Sequence, residues 1–343
     1  MDLSKIFLKN ACPTSMGGQA VMEGVMMRGE SRMAVAIRIP DGRIHIKTEP
    51  IKKPGPLTKI PILRGVVAFL SSIVIGMRTL LYSADVMEHY GGFDEEGDDS
   101  SKEPGKFETW LTEKFGEKAA WNIAMYLAVV FAIAMTVGIF ILLPTAVVSF
   151  LGKFIESPWI MNLIEGVFRL VLFVGYILLI SRMEDIRRVF QYHGAEHETI
   201  HCFENGLELT PENADQFYTL HPRCGTSFLI FVFVISLILF SMLGWPNLLM
   251  RLLSRIILLP LVAGISYEVL KWAGRSDNMA VKILSLPGLY MQKLTTKKPS
   301  KNQLEVAIAS VKAVMVPEGA AYIEGICDKD ANLLEEVHIG EEK

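Results

Sequence analysis

Trp121–Leu143 (WNIAMYLAVVFAIAMTVGIFILL) runs 23 residues without one charged side chain and is closed by Pro144. A helix of about 20 apolar residues, rising about 1.5 Å each, matches the roughly 30 Å of a bilayer's hydrocarbon core. Working outward, Trp159–Ser181 reads as a second span. Its Glu165 and Arg169 lie four apart, so they can pair on one helix face. Thr226–Leu243 reads as a third, and Leu248–Trp272 as a fourth, with Arg251 and Arg255 near one end and Glu268 near the other. The chain is 51% apolar with a mean hydropathy of +0.34, too apolar for a soluble globule. A formal net charge of −3 gives no reason to expect nucleic acid. The fold class predicted is a mainly α, polytopic membrane protein with about four transmembrane helices.

The remaining segments divide around this membrane domain, 120–296. Residues 1–61 hold a Gly-rich loop (Gly17–Gly29) and a β-hairpin, Met33–Ile39 and Arg43–Thr48 about Pro40-Asp41-Gly42. Residues 62–87 are apolar but carry Arg64, Arg78 and Asp85, which leaves only Gly65–Met77 uninterrupted. Thirteen residues suit a re-entrant or interfacial helix better than a span. Residues 88–119 read as an acidic loop and short amphipathic helix, and 297–343 as a tail with a helix at Gln303–Met315. With 62–87 not crossing, 28 Lys and Arg fall on one side of the bilayer and one, Lys153, on the other; a crossing segment leaves 11 against 18. The positive-inside rule therefore predicts four spans with both termini cytoplasmic. No cleaved signal peptide is expected at the N-terminus.

Four of the seven histidines fall in 193–221. His193, His197 and His201 are spaced by four, one above the other on one helix face. The second span is expected to continue as this helix into the cytoplasm. His193-Gly-Ala-Glu196-His197 has the order His-x-x-Glu-His of an inverted zinc-hydrolase motif. Two imidazoles can share one ion, Glu196 is spaced to act as general base, and catalytic zinc takes a third protein ligand. Glu268, a carboxylate on a downstream helix, is the first choice for that ligand, followed by His221 and Cys224; three turns of one helix would strain a tetrahedron through His201. Cys202 and Cys224 are expected to be thiols in a reducing compartment. Glu23 in the Gly-rich stretch is a further ligand or substrate contact, and Arg28 or Arg223 could hold an anionic group.

Gly17-Gly-Gln-Ala-Val-Met-Glu23-Gly24-Val-Met-Met-Arg28-Gly29, Tyr192-His-Gly-Ala-Glu-His197 and His221-Pro-Arg-Cys-Gly-Thr-Ser227 together resemble the YqhQ-like family of bacterial membrane proteins, over roughly residues 12–320. The resemblance implies a multi-pass protein of the bacterial inner membrane with no assigned activity, of a kind labelled metal-dependent enzymes. It also implies that Glu198 is not a ligand, since a basic residue often stands there. The reading is a hydrolase using Zn2+ or another divalent transition metal at the cytoplasmic membrane surface, with the bilayer as partner and a lipid or membrane protein as substrate. A non-catalytic scaffold, regulator or transport component with a structural metal is the alternative. A metal-ion transporter is weaker, because the two clearest spans offer only Glu165 and Arg169 as a polar path.

Overall fold

The computed structural model describes residues 6, 12, 14–51, 55–92, 130–132, 134–151, 154, 155, 157–243, 247–273, 278–317 and 319–339, with isolated positions between 109 and 127. It forms two compact units: Met1–Phe93 with Ile177–Ser236 and Leu248–Lys343, and Asp94–Tyr176 with Leu237–Asn247.

The first unit is built on an antiparallel sheet of six strands in chain order: β1 (Gly17–Val21), β2 (Gly24–Arg28), β3 (Arg32–Arg38), β4 (Ile44–Pro50), β5 (Glu324–Cys327) and β6 (Leu333–Glu336). The expected hairpin is β3–β4, with Gly42 at φ +89° in its turn. The Gly-rich stretch is a second hairpin, β1–β2, turning at Met22-Glu23, where Glu23 itself has φ +50°. Glycine and methionine are weak strand formers, so pairing and burial decide that conformation. The described part of the expected tail is woven into the sheet: β5 pairs with β4.

Side chains alternate across the strands, as a two-residue period requires. Val25, Met27, Ala34 and Ala36 face α4 (Glu184–Glu204) and α9 (Lys301–Val314). Met26, Val35 and Ile37 face the second half of α1 (Leu63–His89), meeting Val86 and Met87. Strands β2 and β3 are thus buried on both faces, whereas β6 at the edge is exposed. The helix at 303–315 is α9, opened by a capping box between Ser300 and Gln303, buried along most of its length and packed against the short α5 (Pro211–Ala214).

Among the described residues, four helices are long and apolar enough to cross a membrane: α1, α2 (Val130–Leu151), α3 (Pro158–Ile180) and α7 (Leu248–Ala273). This set differs from the expected one. The third expected span is α6 (Thr226–Ser241), an apolar helix of only 16 residues. Residues 63–87 of the 62–87 segment lie in α1, one unbroken helix of 27 residues that runs on to His89, with no turn inside it for a re-entrant loop. The second span does not run on into the histidine helix: Ser181–Met183 break it, and α4 starts at Glu184 after an extended Met183. The acidic run 94–99 and most of the start of the first expected span lie outside the described residues.

In the second unit, α2 does not stop at Pro144 but continues to Leu151 through a π-turn at Gly138–Leu142. Proline lacks an N–H and crowds the carbonyl four residues back, here Phe140. Arg169 Nε donates to the Phe140 oxygen at 2.8 Å while its other nitrogen pairs with Glu165 at 2.7 Å, and Thr145 Oγ1 donates to Glu165 at 2.8 Å. The charged pair on α3 therefore serves the carbonyl that Pro144 orphans, a structural use of Glu165 and Arg169.

Candidate metal centre

The site is carried by α4, which the sequence starts and stops clearly. Glu184 and Asp185 occupy its first turn, where negative charge suits the helix dipole, and Gly206 closes it at φ +67°. Its first half is charged and largely exposed, whereas Gly194–Cys202 is buried on every side. Sheet and α9 cover one flank. The 219–226 loop and the end of α8 (Met279–Thr295) cover the other. Gly194 makes this closure possible, since a Cβ there would overlap the Lys297 carbonyl oxygen and stand 3.2 Å from Thr219 Cγ2.

His193 and His197 stack edge-to-face, ring centroids 4.5 Å apart. Each has its Nδ1 engaged by a backbone carbonyl, His193 by Thr295 at 2.9 Å and His197 by Thr219 at 2.6 Å. A carbonyl only accepts, so both Nδ1 atoms carry a proton, which leaves the two Nε2 atoms as the positions a metal would take, on His193 in exchange for a second proton. This is how metal-binding imidazoles are oriented in general. His193 Nε2 lies 3.3 Å from Cys224 Sγ, and His197 Nε2 is buried without a hydrogen-bond partner. One ligand atom each from His193, His197 and Cys224 lies within 4.8 Å of the others, a compact triangle that fits a single ion. Burial alone would raise the Cys224 thiol; the two imidazoles hold it well below its usual value. Burial opposes the charge on His193, yet Cys224 raises it to about 9.

Cys224 reaches the triangle through a clamp that sequence reading missed. Gln292 on α8 accepts from His221 N at 2.8 Å and donates to His221 O at 2.9 Å, and Cys224 N closes the turn onto the same oxygen at 3.3 Å. The sulfur also accepts from Thr226 N, the first residue of α6, at 3.5 Å. Glu196 is held from the sheet: Gly18 N donates to its Oε1 at 2.9 Å, and a Cβ at Gly18 would press on Glu196 at 3.0 Å. Burial pushes the Glu196 carboxyl upward. Glu196 and the triangle line one cavity of about 640 Å³.

Of the expected third ligands, only Cys224 arrives. Glu268 lies at the far end of α7, paired with the Arg64 guanidinium and accepting from Ile62 N at 3.3 Å. His221 is adjacent but faces Glu204, 3.9 Å away, and burial lowers it to about 3. His201 donates from Nε2 to Leu220 O at 3.0 Å and stacks on Phe217. Cys202 contacts Glu208 O instead of the site. Glu23 pairs with Arg188, tying the β1–β2 hairpin to α4 away from the cavity. Arg223 lines the cavity but is committed to Glu204 and to Thr14 O. Arg28 lines it with no ion-pair partner among the described residues. Glu198 is ion-paired with Lys298 at 2.9 Å and is no ligand of the triangle.

Residues 60–316 match the family model described as protein of unknown function DUF1385. The chain is 37% identical over 317 residues to the uncharacterized protein YqhQ of Bacillus subtilis, covering 90% of this chain and 94% of that one. No solved structure matches.

Proposed function

We propose that this chain, which belongs to the DUF1385 family of proteins of unknown function, is a metal-dependent hydrolase of the inner membrane, with its site at the cytoplasmic surface. The observation that carries the reading is the triangle itself: two imidazoles locked by backbone carbonyls, with their free nitrogens and the Cys224 sulfur converging beside Glu196. Two nitrogens and a thiolate suit zinc, and three protein ligands leave a position open for water. Zinc held there would supply Lewis acidity. The chain's own contributions are orientation and proton transfer. Gly18 fixes one Glu196 oxygen, and burial raises that carboxyl's pKa, the direction a general base requires.

The interfacial placing of α1 is supported by its partners. From Gly76 onward it is bound to the sheet: Gln19 Nε2 donates to Gly76 O at 3.3 Å, Met22 N to Ser83 Oγ at 3.2 Å, and Tyr82 OH to Glu324 at 2.8 Å. Only Leu63–Ile75 is left for the bilayer, roughly 20 Å at 1.5 Å per residue, too little to cross. With α1 on the surface, α2, α3, α6 and α7 are the crossing helices of this reading, and the lopsided distribution of Lys and Arg supports a cytoplasmic sheet, site and termini.

The test is metal content of the protein purified without added metal, for wild type, Glu196→Gln and His197→Ala. One equivalent of zinc in the first two and none in the third is expected, with any hydrolysis lost in both variants. A metal-free wild type would sink the proposal. The 3.3 Å approach of His193 to Cys224 favours one other reading, a thiolate nucleophile with an imidazolium partner. That reading predicts fast alkylation of Cys224 by iodoacetamide in the protein as purified, and the metal reading predicts protection until a chelator is added.

A further inference from the structure

The cavity extends well beyond the metal triangle, and its walls say what else it holds. One end carries His193, Glu196, His197 and Cys224. Away from them the walls turn apolar, with Met26, Ile75 and Phe190, and include Arg28 at the end of β2. Arg28 differs from the cavity's other guanidinium: Arg223 is neutralised by Glu204, whereas Arg28 has no carboxylate partner among the described residues. An uncompensated cation in a part-apolar wall calls for an anion carried on something apolar.

The outer wall is α1, through Ser72 and Ile75. The same turns carry Leu70, Ile73, Val74 and Met77, 49–66% exposed, and the row continues to Leu81. Their spacing of three, four and seven makes one stripe on the side of α1 opposite the cavity-lining Ser72 and Ile75 and the buried Gly76, Thr79 and Ser83, and Ile73, Val74, Met77 and Leu81 line a separate groove with Met33 and Val35 of the sheet. The part of this row ahead of Gly76, with Leu70, Ile73 and Val74, suits a helix that lies against lipid, with the cavity behind α1. Depth agrees: Cys224 stands two residues before α6, an apolar helix with no charge in its 16 residues, and Thr226 itself lines the cavity. The cavity thus opens beside the start of an apolar helix and behind α1, a position that suits lipid headgroups.

We propose that the cavity takes an anionic lipid from the adjoining leaflet, its negatively charged headgroup at Arg28 and its chains passing Ser72 and Ile75 of α1 toward the bilayer. This rests on the metal-centre reading for what then happens to the headgroup, but not for binding.

The experiment uses the full chain in a non-ionic detergent. Binding of dioleoyl phosphatidylglycerol, dioleoyl phosphatidylcholine and glycerol 3-phosphate is measured by native mass spectrometry, with zinc content read on the same samples. Phosphatidylglycerol should bind, with phosphatidylcholine and glycerol 3-phosphate about tenfold weaker or worse, and Arg28→Gln should lose that preference while Arg28→Lys keeps most of it. Equal binding of phosphatidylcholine would overturn the anion requirement. Glycerol 3-phosphate competing as well as the lipid would make the ligand a soluble anion and overturn the proposal. A benzophenone attached at Ser72→Cys gives a second readout in protein with Arg28 intact. It should crosslink phosphatidylglycerol in preference to phosphatidylcholine, and no preference would count against the proposal even if Arg28→Gln failed to fold. Lipid selectivity without zinc would remove the hydrolase reading and leave this one standing; zinc without lipid selectivity would do the reverse.

Discussion

Replacing Gly194 by alanine tests the site's architecture at its tightest point. In an open helix, Gly→Ala stabilises by about 1 kcal/mol, because alanine loses less backbone entropy. At 194 the new methyl would overlap the Lys297 carbonyl oxygen, a backbone atom that cannot swing aside as a flexible side chain would, and would stand 3.2 Å from Thr219. Overpacking typically costs about 1–3 kcal/mol, so the clash offsets or outweighs the helical gain. The net expectation is a loss of up to about 2 kcal/mol, read as a fall of several degrees in the unfolding midpoint at roughly 2–4 °C per kcal/mol for a domain of this size. The damage is directed. Thr219 O orients His197, and Thr295 O, two residues before Lys297, orients His193. Displacing both carbonyls should weaken zinc binding about 10–100-fold, the usual effect of losing a ligand's outer hydrogen bond. Thermal unfolding with and without chelator, plus competitive zinc titration, reads both quantities. A variant that unfolds at a higher temperature and binds zinc as tightly as wild type would refute the claimed contact between α4 and the 295–298 segment.

Three further expectations follow from the same geometry. Cys224→Ser should lower zinc affinity by more than tenfold, whereas Glu268→Gln should leave zinc unchanged and cost at most about 1 kcal/mol, because its pair with Arg64 is about one-quarter exposed; zinc titration of both variants checks this. Gln292→Leu should strand the N–H and C=O of His221, costing about 1–3 kcal/mol and loosening Cys224, seen as a lower unfolding midpoint together with weaker zinc binding. His45, buried beside Tyr82 OH at 2.8 Å, is lowered by burial to about 4. Its folded pKa lies below the unfolded 6.5, so the unfolded chain takes up the proton first, and this contribution to stability is lost as pH falls from about 6.5 toward 4. The slope is at most about 1.4 kcal/mol per pH unit, and midpoints measured between pH 7.5 and 4.5 should fall less steeply for His45→Asn than for wild type.

Much of the molecule is local enough to read from the chain. Charge-free runs of spanning length mark apolar helices because hydropathy is a property of composition, and the fourfold spacing of His193 and His197 places them on one face because a helix has 3.6 residues per turn. The β3–β4 hairpin and the helix at 301–314 follow from alternation and a capping box in the same way. Pro144 shows where local reading fails. Alone it signals a stop, yet a π-turn and the guanidinium of Arg169, from a different helix, let α2 continue.

The sequence by itself determined the long apolar helices, the histidine face and the pairing of Glu196 with it. Tertiary structure alone decided which residue completes the triangle. Glu268 had the right chemistry, but its carboxylate is spent on Arg64, 204 positions away in the chain. Cys224 arrives because Gln292, 71 positions beyond His221, clamps the turn that carries it. The Gly-rich stretch likewise became two strands only by pairing, and those strands supplied the Gly18 N–H that holds Glu196. Spacing along one helix is fixed by local geometry. A ligand delivered from another element depends on which carbonyls and amides the packed fold brings within 3 Å, and no local pattern in the chain encodes that.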